Sequence, residues 1–152
     1  MKELKNIYID STNKTPQIDF NSVTGDLIIS GRSIPENASK VYQPLLDWIT
    51  EYIQDPTQTT NLRLQLDYFN TSSSIWLAKL VKTLCKIRNP ESVLLIHLYF
   101  DVEDYDNMDP EDIQETLSLV VDNISSTVIS IGVKIYGTDD KGTVIKESMI
   151  LI

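Results

Sequence analysis

Between Leu62 and Leu84 the spacing of the apolar residues changes once, and the change limits what this chain can build. Leu62, Leu64, Leu66 and Tyr68 alternate with Arg63, Gln65 and Asp67, the period of a strand with one buried face. Trp76, Leu77, Leu80, Val81 and Leu84 then follow at helical spacing, with Lys79, Lys82 and Lys86 pointing away. A strand that feeds directly into an amphipathic helix is the first half of a crossover, and crossovers join parallel strands.

The flanking sequence extends the pattern. Asn6 to Asp10 and Thr15 to Phe20 read as short strands. The turn residues Asn21-Ser22-Val23-Thr24-Gly25 lead into a strand over Asp26 to Ser30, so 16–30 is expected to be a hairpin. Gly31 through Asn37 is expected to be a loop. Val41, Leu45, Trp48, Ile49, Tyr52 and Ile53 predict a helix between Ala38 and Gln54, with a kink or a late start near Pro44. Ser92 to Tyr99 is apolar enough for a central strand. Asp109-Pro110-Glu111-Asp112 is a helix start, with a capping acid, a first-turn proline and carboxylates at the positive end of the dipole. Ile113, Leu117, Val120, Val121 and Ile124 would be its buried stripe. Thr127 to Tyr136, a turn over Gly137 to Gly142, and Thr143 to Ile152 form a closing hairpin. The expected fold is one α/β domain over residues 1–152, a mixed β-sheet packed with about three helices in an α/β sandwich. Crossovers of the usual right hand would gather those helices mainly on one face.

A chain of 152 residues buries a core without covalent staples. Its net charge of −9 argues against nucleic acid and anionic membrane surfaces as partners, and suits a partner with a basic patch. A single cysteine, Cys85, rules out an internal disulfide and a cysteine-based metal cage. The N-terminus has no apolar stretch of signal-peptide length, and the longest hydrophobic run, Ser92 to Phe100, is too short to span a bilayer. A cytoplasmic protein without membrane insertion is expected.

Residues able to carry chemistry are few. His97 is the sole histidine and lies in an apolar strand, so a structural role is expected, as is a core position for Cys85. In the acidic run from Asp101 to Asn107, an EF-hand would need Gly at its sixth place and Glu at its twelfth, which hold Asp106 and Asp112. A solvated acidic loop is expected there, with a partner-docking surface as the functional alternative. The setting of Ser33 is not a nucleophile elbow, and no glycine-rich loop precedes a lysine to cradle phosphates. Catalysis would need His97 beside a nucleophile such as Ser33 or Ser72. No catalytic residue, metal or cofactor is expected.

At the strand–helix junction stand Asn70, Thr71, Ser72, Ser73 and Ser74. One such residue suffices to cap a helix. A hydroxyl in this place is also well set for phosphorylation, because a phosphate there lies near free N–H donors and the positive end of the helix dipole.

Two blocks give the chain a family likeness. The first is Thr15-Pro16, Ile18, Phe20, Gly25, Leu27, Ile29, Gly31-Arg32-Ser33-Ile34-Pro35-Glu36-Asn37, Pro44, Trp48 and Tyr52. The second is Leu66-Asp67-Tyr68-Phe69-Asn70-Thr71-Ser72-Ser73-Ser74. Together they span roughly the first half of the sequence and resemble the SiaC family of bacterial regulatory phosphoproteins. The resemblance implies a non-enzymatic switch, in outline like the anti-sigma-factor-antagonist (STAS) domains. It implies that Thr71 is phosphorylated by a dedicated kinase and dephosphorylated by a PP2C-type phosphatase. The unphosphorylated form would bind and activate a diguanylate cyclase, raising cyclic di-GMP and promoting aggregation or biofilm formation. Asn70, Ser72, Ser73 and Ser74 would shape the helix start and read a partner. Ser33, Glu36 and Asn37 would form an adjacent loop, with capping of the first helix equally open for Glu36 and Asn37. Two departures stand out: Ile75 occupies a place where the family usually carries Lys, and the segment from Thr127 is longer than expected. A constitutive adaptor of the same fold, with the serine block as a simple cap, is the alternative reading.

Overall fold

The structure, a computed structural model, describes residues 4–109, 111 and 127–151. The helix expected from Asp109 onward lies, beyond Glu111, outside the described residues. Seven strands form one sheet in sequence order: β1 (Ile7–Ile9), β2 (Gln17–Phe20), β3 (Asp26–Ser33), β4 (Thr59–Phe69), β5 (Val93–Asp101), β6 (Ser130–Thr138) and β7 (Val144–Leu151). The pairs β3–β4, β4–β5 and β5–β6 are parallel, while β1–β2, β2–β3 and β6–β7 are antiparallel. Helix α1 (Ala38–Tyr52) crosses from β3 to β4, and α2 (Thr71–Leu84) from β4 to β5.

The register explains the core. Phe20, Leu27, Leu62, Ile96, Val133 and Ile150 stand side by side in one row across β2 to β7. Ile18, Ile29, Leu64, Leu98 and Ile135 form the next row. Both rows face the buried stripes of α1 (Tyr42, Leu45, Trp48, Ile49, Tyr52) and α2 (Leu77, Leu80, Val81, Leu84). Burying each such side chain contributes about 1.5–3 kcal/mol, so the paired rows dominate the fold's stability. Trp48 packs against Phe20 and Tyr52 with ring centroids 5.2 Å apart, and its indole N–H donates to the Lys5 carbonyl at 2.7 Å. Cys85 is buried in this core, where burial pushes its thiol up to about 11 and leaves it unreactive.

Three expectations need correction. α1 starts at Ala38 and continues through Pro44, so there is no late start. Pro44 and Lys40, whose carbonyl the missing N–H would have met, both lie on the exposed face, where water satisfies that carbonyl. β3 runs on to Ser33 instead of ending at Ser30. The acidic run after Asp101 is not a loop but a short helix, α3 (Val102–Asp106), held by Tyr105. The Tyr105 ring lies over Gly137, close enough that a Cβ there would meet it at 3.0 Å, and its hydroxyl bonds Ser148 at 2.7 Å.

Two glycines bend the sheet's start. Gly25 has φ of +78°, and a Cβ would come 2.6 Å from the Thr59 carbonyl, so only glycine fits between β2–β3 and β4. Gly31, with φ of +101°, marks a bulge. Gly31 pairs with Leu66 but Arg32 pairs with Tyr68, so Asp67 is an extra residue on β4. The alternation read from the sequence breaks there. Tyr68, expected on the buried face, is 60% exposed.

The opposite face of the sheet carries polar groups. His97 is 3% exposed; its Nε2–H donates to Asn61 Oδ1 and its Nδ1 accepts from the Tyr136 hydroxyl, both at 2.8 Å. Arg63 bonds the Tyr99 hydroxyl at 3.0 Å and reaches Asp26 at 3.7 Å. Burial, then the charges of Arg63 and Lys134, pull the His97 pKa from its ordinary 6.5 down to about 4. Between those values the unfolded chain binds the proton and the folded chain does not. Stability will therefore fall as pH is lowered from 6.5 to about 4 and this contribution will level off below that. In urea denaturation across that range, wild type minus His97→Gln should show this slope, and a flat difference would contradict it.

Candidate functional site

β4 ends at Phe69 and α2 begins two residues later, so the junction leaves the C-terminal edge of the parallel strands with no slack. Asn70 is the N-cap, extended at φ −90°, ψ 174°, and its Oδ1 accepts the Ser73 N–H at 2.9 Å. The Ser74 N–H bonds the Asn70 carbonyl at 3.1 Å, the first turn of the helix. The N–H groups of Thr71 and Ser72 take no acceptor among the described residues. They are the orphan donors of a helix N-terminus.

The four hydroxyls of the junction are not equivalent. Ser73 is fully buried and donates to the Ser33 carbonyl at 2.9 Å. The Ser33 hydroxyl lies 2.8 Å from Ser73 Oγ and 2.5 Å from the Tyr42 hydroxyl. Burial pushes the Tyr42 phenol above its ordinary value, against the opposing pull of its hydrogen bonds with Ser33 and Ser73, so it keeps its proton. One arrangement then satisfies all three groups: Tyr42 donates to Ser33, Ser33 to Ser73, and Ser73 to the Ser33 carbonyl. Ser74 donates to the Thr71 carbonyl at 2.7 Å, and Ser72, although exposed, donates to Asn70 Oδ1 at 3.1 Å. Thr71 is exposed, and its hydroxyl has no partner among the described residues.

Ser33 and Ser73, expected to face a partner, are therefore wholly internal. They fasten the end of β3 to the start of α2, helped by the Asn70 N–H, which also bonds the Ser33 carbonyl at 3.0 Å. Glu36 and Asn37 are exposed in the loop that leaves from Ser33. Glu36 pairs with Lys14 at 3.1 Å. Asn37 holds the N-cap position of α1, but its side chain makes no capping bond and accepts from Ser39 at 2.8 Å instead. His97 lies on the other face of the sheet from Ser33, and its hydrogen-bond partners are Asn61, Tyr136 and Arg63, none of them a serine.

The structure adds residues that the sequence reading missed. Phe69 is 47% exposed and Ile75 is 54% exposed, and like Tyr68 both lie within four residues of Thr71 in the chain. Ile75 follows Thr71 by four residues and so shares its face of α2. Beside this surface lies a cleft of about 560 Å³ at the ends of β4, β5 and β6. Among the described residues no group of three or more His, Cys, Asp or Glu is placed to hold a metal ion, and no helix is long and apolar enough to cross a membrane.

Removing the Ser73 hydroxyl strands the buried Ser33 O–H. Ser73→Ala should cost about 1–3 kcal/mol in denaturant unfolding, whereas Ser72→Ala should stay within about 0.5 kcal/mol of wild type. Equal effects would remove the distinction between the two serines.

Comparison with known proteins agrees with this fold. A family model described as SiaC family regulatory phosphoprotein matches residues 9–127, so β6 and β7 lie beyond its span. An uncharacterised protein of Pseudomonas aeruginosa strain UCBPP-PA14 is 33% identical over 70 residues, 46% of this chain. The match spans 56% of that relative, little more than half its length. The crystal structure of apo-SiaC from Pseudomonas aeruginosa is similar in fold, with a TM-score of 0.66 at 24% identity, covering 84% of this chain and 98% of that one. A crystal structure of the diguanylate cyclase SiaD in complex with its activator SiaC, from the same organism, matches at a TM-score of 0.63 and 23% identity, covering 82% and 97%. The chain belongs to the SiaC family of regulatory phosphoproteins.

Proposed function

We propose that this chain is a non-enzymatic partner-switching protein of the cytoplasm, controlled by reversible phosphorylation of Thr71. A cognate kinase adds the phosphate and a PP2C-type phosphatase removes it. The unmodified form binds and activates a diguanylate cyclase, raising cyclic di-GMP and favouring biofilm formation. The observation that carries the acceptor assignment is the contrast among four neighbouring hydroxyls: Thr71 alone is exposed and without a partner among the described residues. The family membership supports a regulatory phosphoprotein, and the complex of Pseudomonas aeruginosa SiaC with SiaD supports a cyclase as effector.

The physics of the switch follows from the surroundings of Thr71. A phosphate brings a charge of about −1.5 to −2. On the isolated chain that charge meets the free N–H groups of Thr71 and Ser72 at the positive end of α2, so it is tolerated. In a complex the same group would be pressed between a partner and the exposed Tyr68, Phe69 and Ile75. Stripping water from a dianion against apolar surface is costly, and the complex breaks. The chain offers no phosphate-cradling loop, so the kinase supplies both nucleotide and metal.

The test is a pull-down with unmodified protein, with the captured protein identified by mass spectrometry and assayed for cyclic di-GMP synthesis, alongside intact-mass analysis after treatment with the kinase. A single added phosphate, lost in Thr71→Ala, and a cyclase stimulated by the unmodified form alone are expected. Phosphate persisting in Thr71→Ala moves the acceptor elsewhere. Binding indifferent to phosphorylation makes the chain a constitutive adaptor.

A further inference from the structure

The cleft that Phe69 lines has a composition that the switch itself does not require. Asp67, Asp101, Asp104, Asp139 and Asp140 line it together with the aromatic rings of Phe69, Tyr99 and Phe100. No lysine or arginine among the described residues lines it. The carboxylate of Asp139 is engaged, since it accepts the N–H groups of Lys141 and Thr143 at 2.9 Å and so shapes the β6–β7 turn. The other four carboxylates make no hydrogen bond among the described residues. The described ion pairs, Lys14–Glu36, Arg63–Asp26 and Lys146–Asp106, reach none of them. Four like charges thus share a concave surface with aromatic walls, an arrangement that repels anions and that a cation relieves.

Phe69 joins this cleft to the apolar surface around the acceptor hydroxyl. Its ring lines the cleft, and it is the residue before the Asn70 cap. Tyr68 precedes it in β4 and Ile75 stands one turn beyond Thr71 on α2, each with more than half of its surface in water. Large apolar side chains exposed so close to one another in the chain suit a contact surface better than a solvent boundary. The acids do not converge on a point in the manner of a metal site, and nucleotides or nucleic acids carry the wrong sign.

We propose that the apolar surface and the acidic cleft are one docking site for an amphipathic segment of a partner protein, with its apolar side chains over Tyr68, Phe69 and Ile75 and its arginine or lysine side chains in the cleft. This rests on the partner-switching reading and specifies the chemistry of the effector's contact. Aromatic and aliphatic anchors supply the bulk of the affinity, and the cleft fixes the orientation and speeds encounter. Phosphorylation then acts at the rim between the two halves: it makes the apolar half too costly to desolvate, while the cleft keeps its own charge.

The experiment measures the Kd of the unmodified chain for the cyclase captured above. Asp101→Lys/Asp104→Lys reverses the cleft, and Asp55→Lys/Glu91→Lys makes the same change in charge at the opposite ends of the strands, where both residues are exposed. Asp101→Asn/Asp104→Asn removes charge without reversing it. Circular dichroism melts confirm that each variant folds. Cleft reversal should weaken binding by roughly tenfold or more, neutralisation less, and the control pair hardly at all, with wild-type affinity falling as salt rises. Cleft variants that bind like wild type, or a control pair that loses as much, would overturn the docking site even where Thr71 phosphorylation still abolishes binding. Absence of any captured cyclase would overturn the partner-switching reading, and the docking site with it.

Discussion

One carbonyl ties the start of α2 to the core. The Ser33 C=O accepts two donors from the next crossover, the Asn70 N–H and the Ser73 hydroxyl. Ser33 itself is fixed from behind by Tyr42, which belongs to the buried stripe of α1 and stacks parallel to Trp76 of α2 at 6.4 Å. The last turn of β3, the cap of α2 and the packing of the two helices are therefore one unit. A buried hydrogen-bond network of this sort gives little net energy while intact and costs much when one member is lost. Its value here is positional. It holds Thr71, two residues before Ser73, at the rim of the sheet with its side chain outward.

The sheet divides its labour between faces. On the side of the helices the register aligns apolar residues in rows from one edge to the other, which leaves no room for polar chemistry. On the other side the same strands carry Asn61, Arg63, His97, Tyr99 and Tyr136, and these satisfy one another. A histidine whose ring nitrogens bond Asn61 and the Tyr136 hydroxyl, with the Arg63 cation beside it and its pKa lowered, is kept neutral as a structural hydrogen-bonding group. The contacts of the proposed switch lie on neither face but along the edge where β4, β5 and β6 end.

Much of this was legible in the sequence because it depends on local spacing. The period of two in Leu62, Leu64 and Leu66, and the helical spacing from Trp76 to Leu84, specify β4 and α2 whatever their neighbours do. The cap at Asn70 is equally local, since its side chain reaches three residues ahead. What escaped is what depends on pairing. Tyr68 faces outward because β4 absorbs an extra residue opposite Gly31, and a register shift between two strands cannot be seen in either one alone. The resemblance implies partner-facing roles for Ser33 and Ser73, yet both are internal because they meet each other across 40 residues of chain, a contact that no local pattern reveals. Asp139 and Asp140 join Asp67 and Asp101 only because β6 lies next to β5. The run from Asp101 failed as a loop because Tyr105 has a seat on Gly137, a contact between distant segments.

The spare N–H groups of Thr71 and Ser72 have a thermodynamic corollary. A helix that starts with two unmet donors is unfinished, and a phosphate on the first hydroxyl would finish it. Under the proposed switch, the silenced form is then the better-folded form, and the active form is held in a slightly looser state until a partner covers it. Removing the phosphate would give up local stability that binding the effector returns. The same first turn would thus couple the folding of α2 to the signalling state, so that a weakened α2 favours neither docking nor release but shortens the life of the unmodified chain while it waits for its partner.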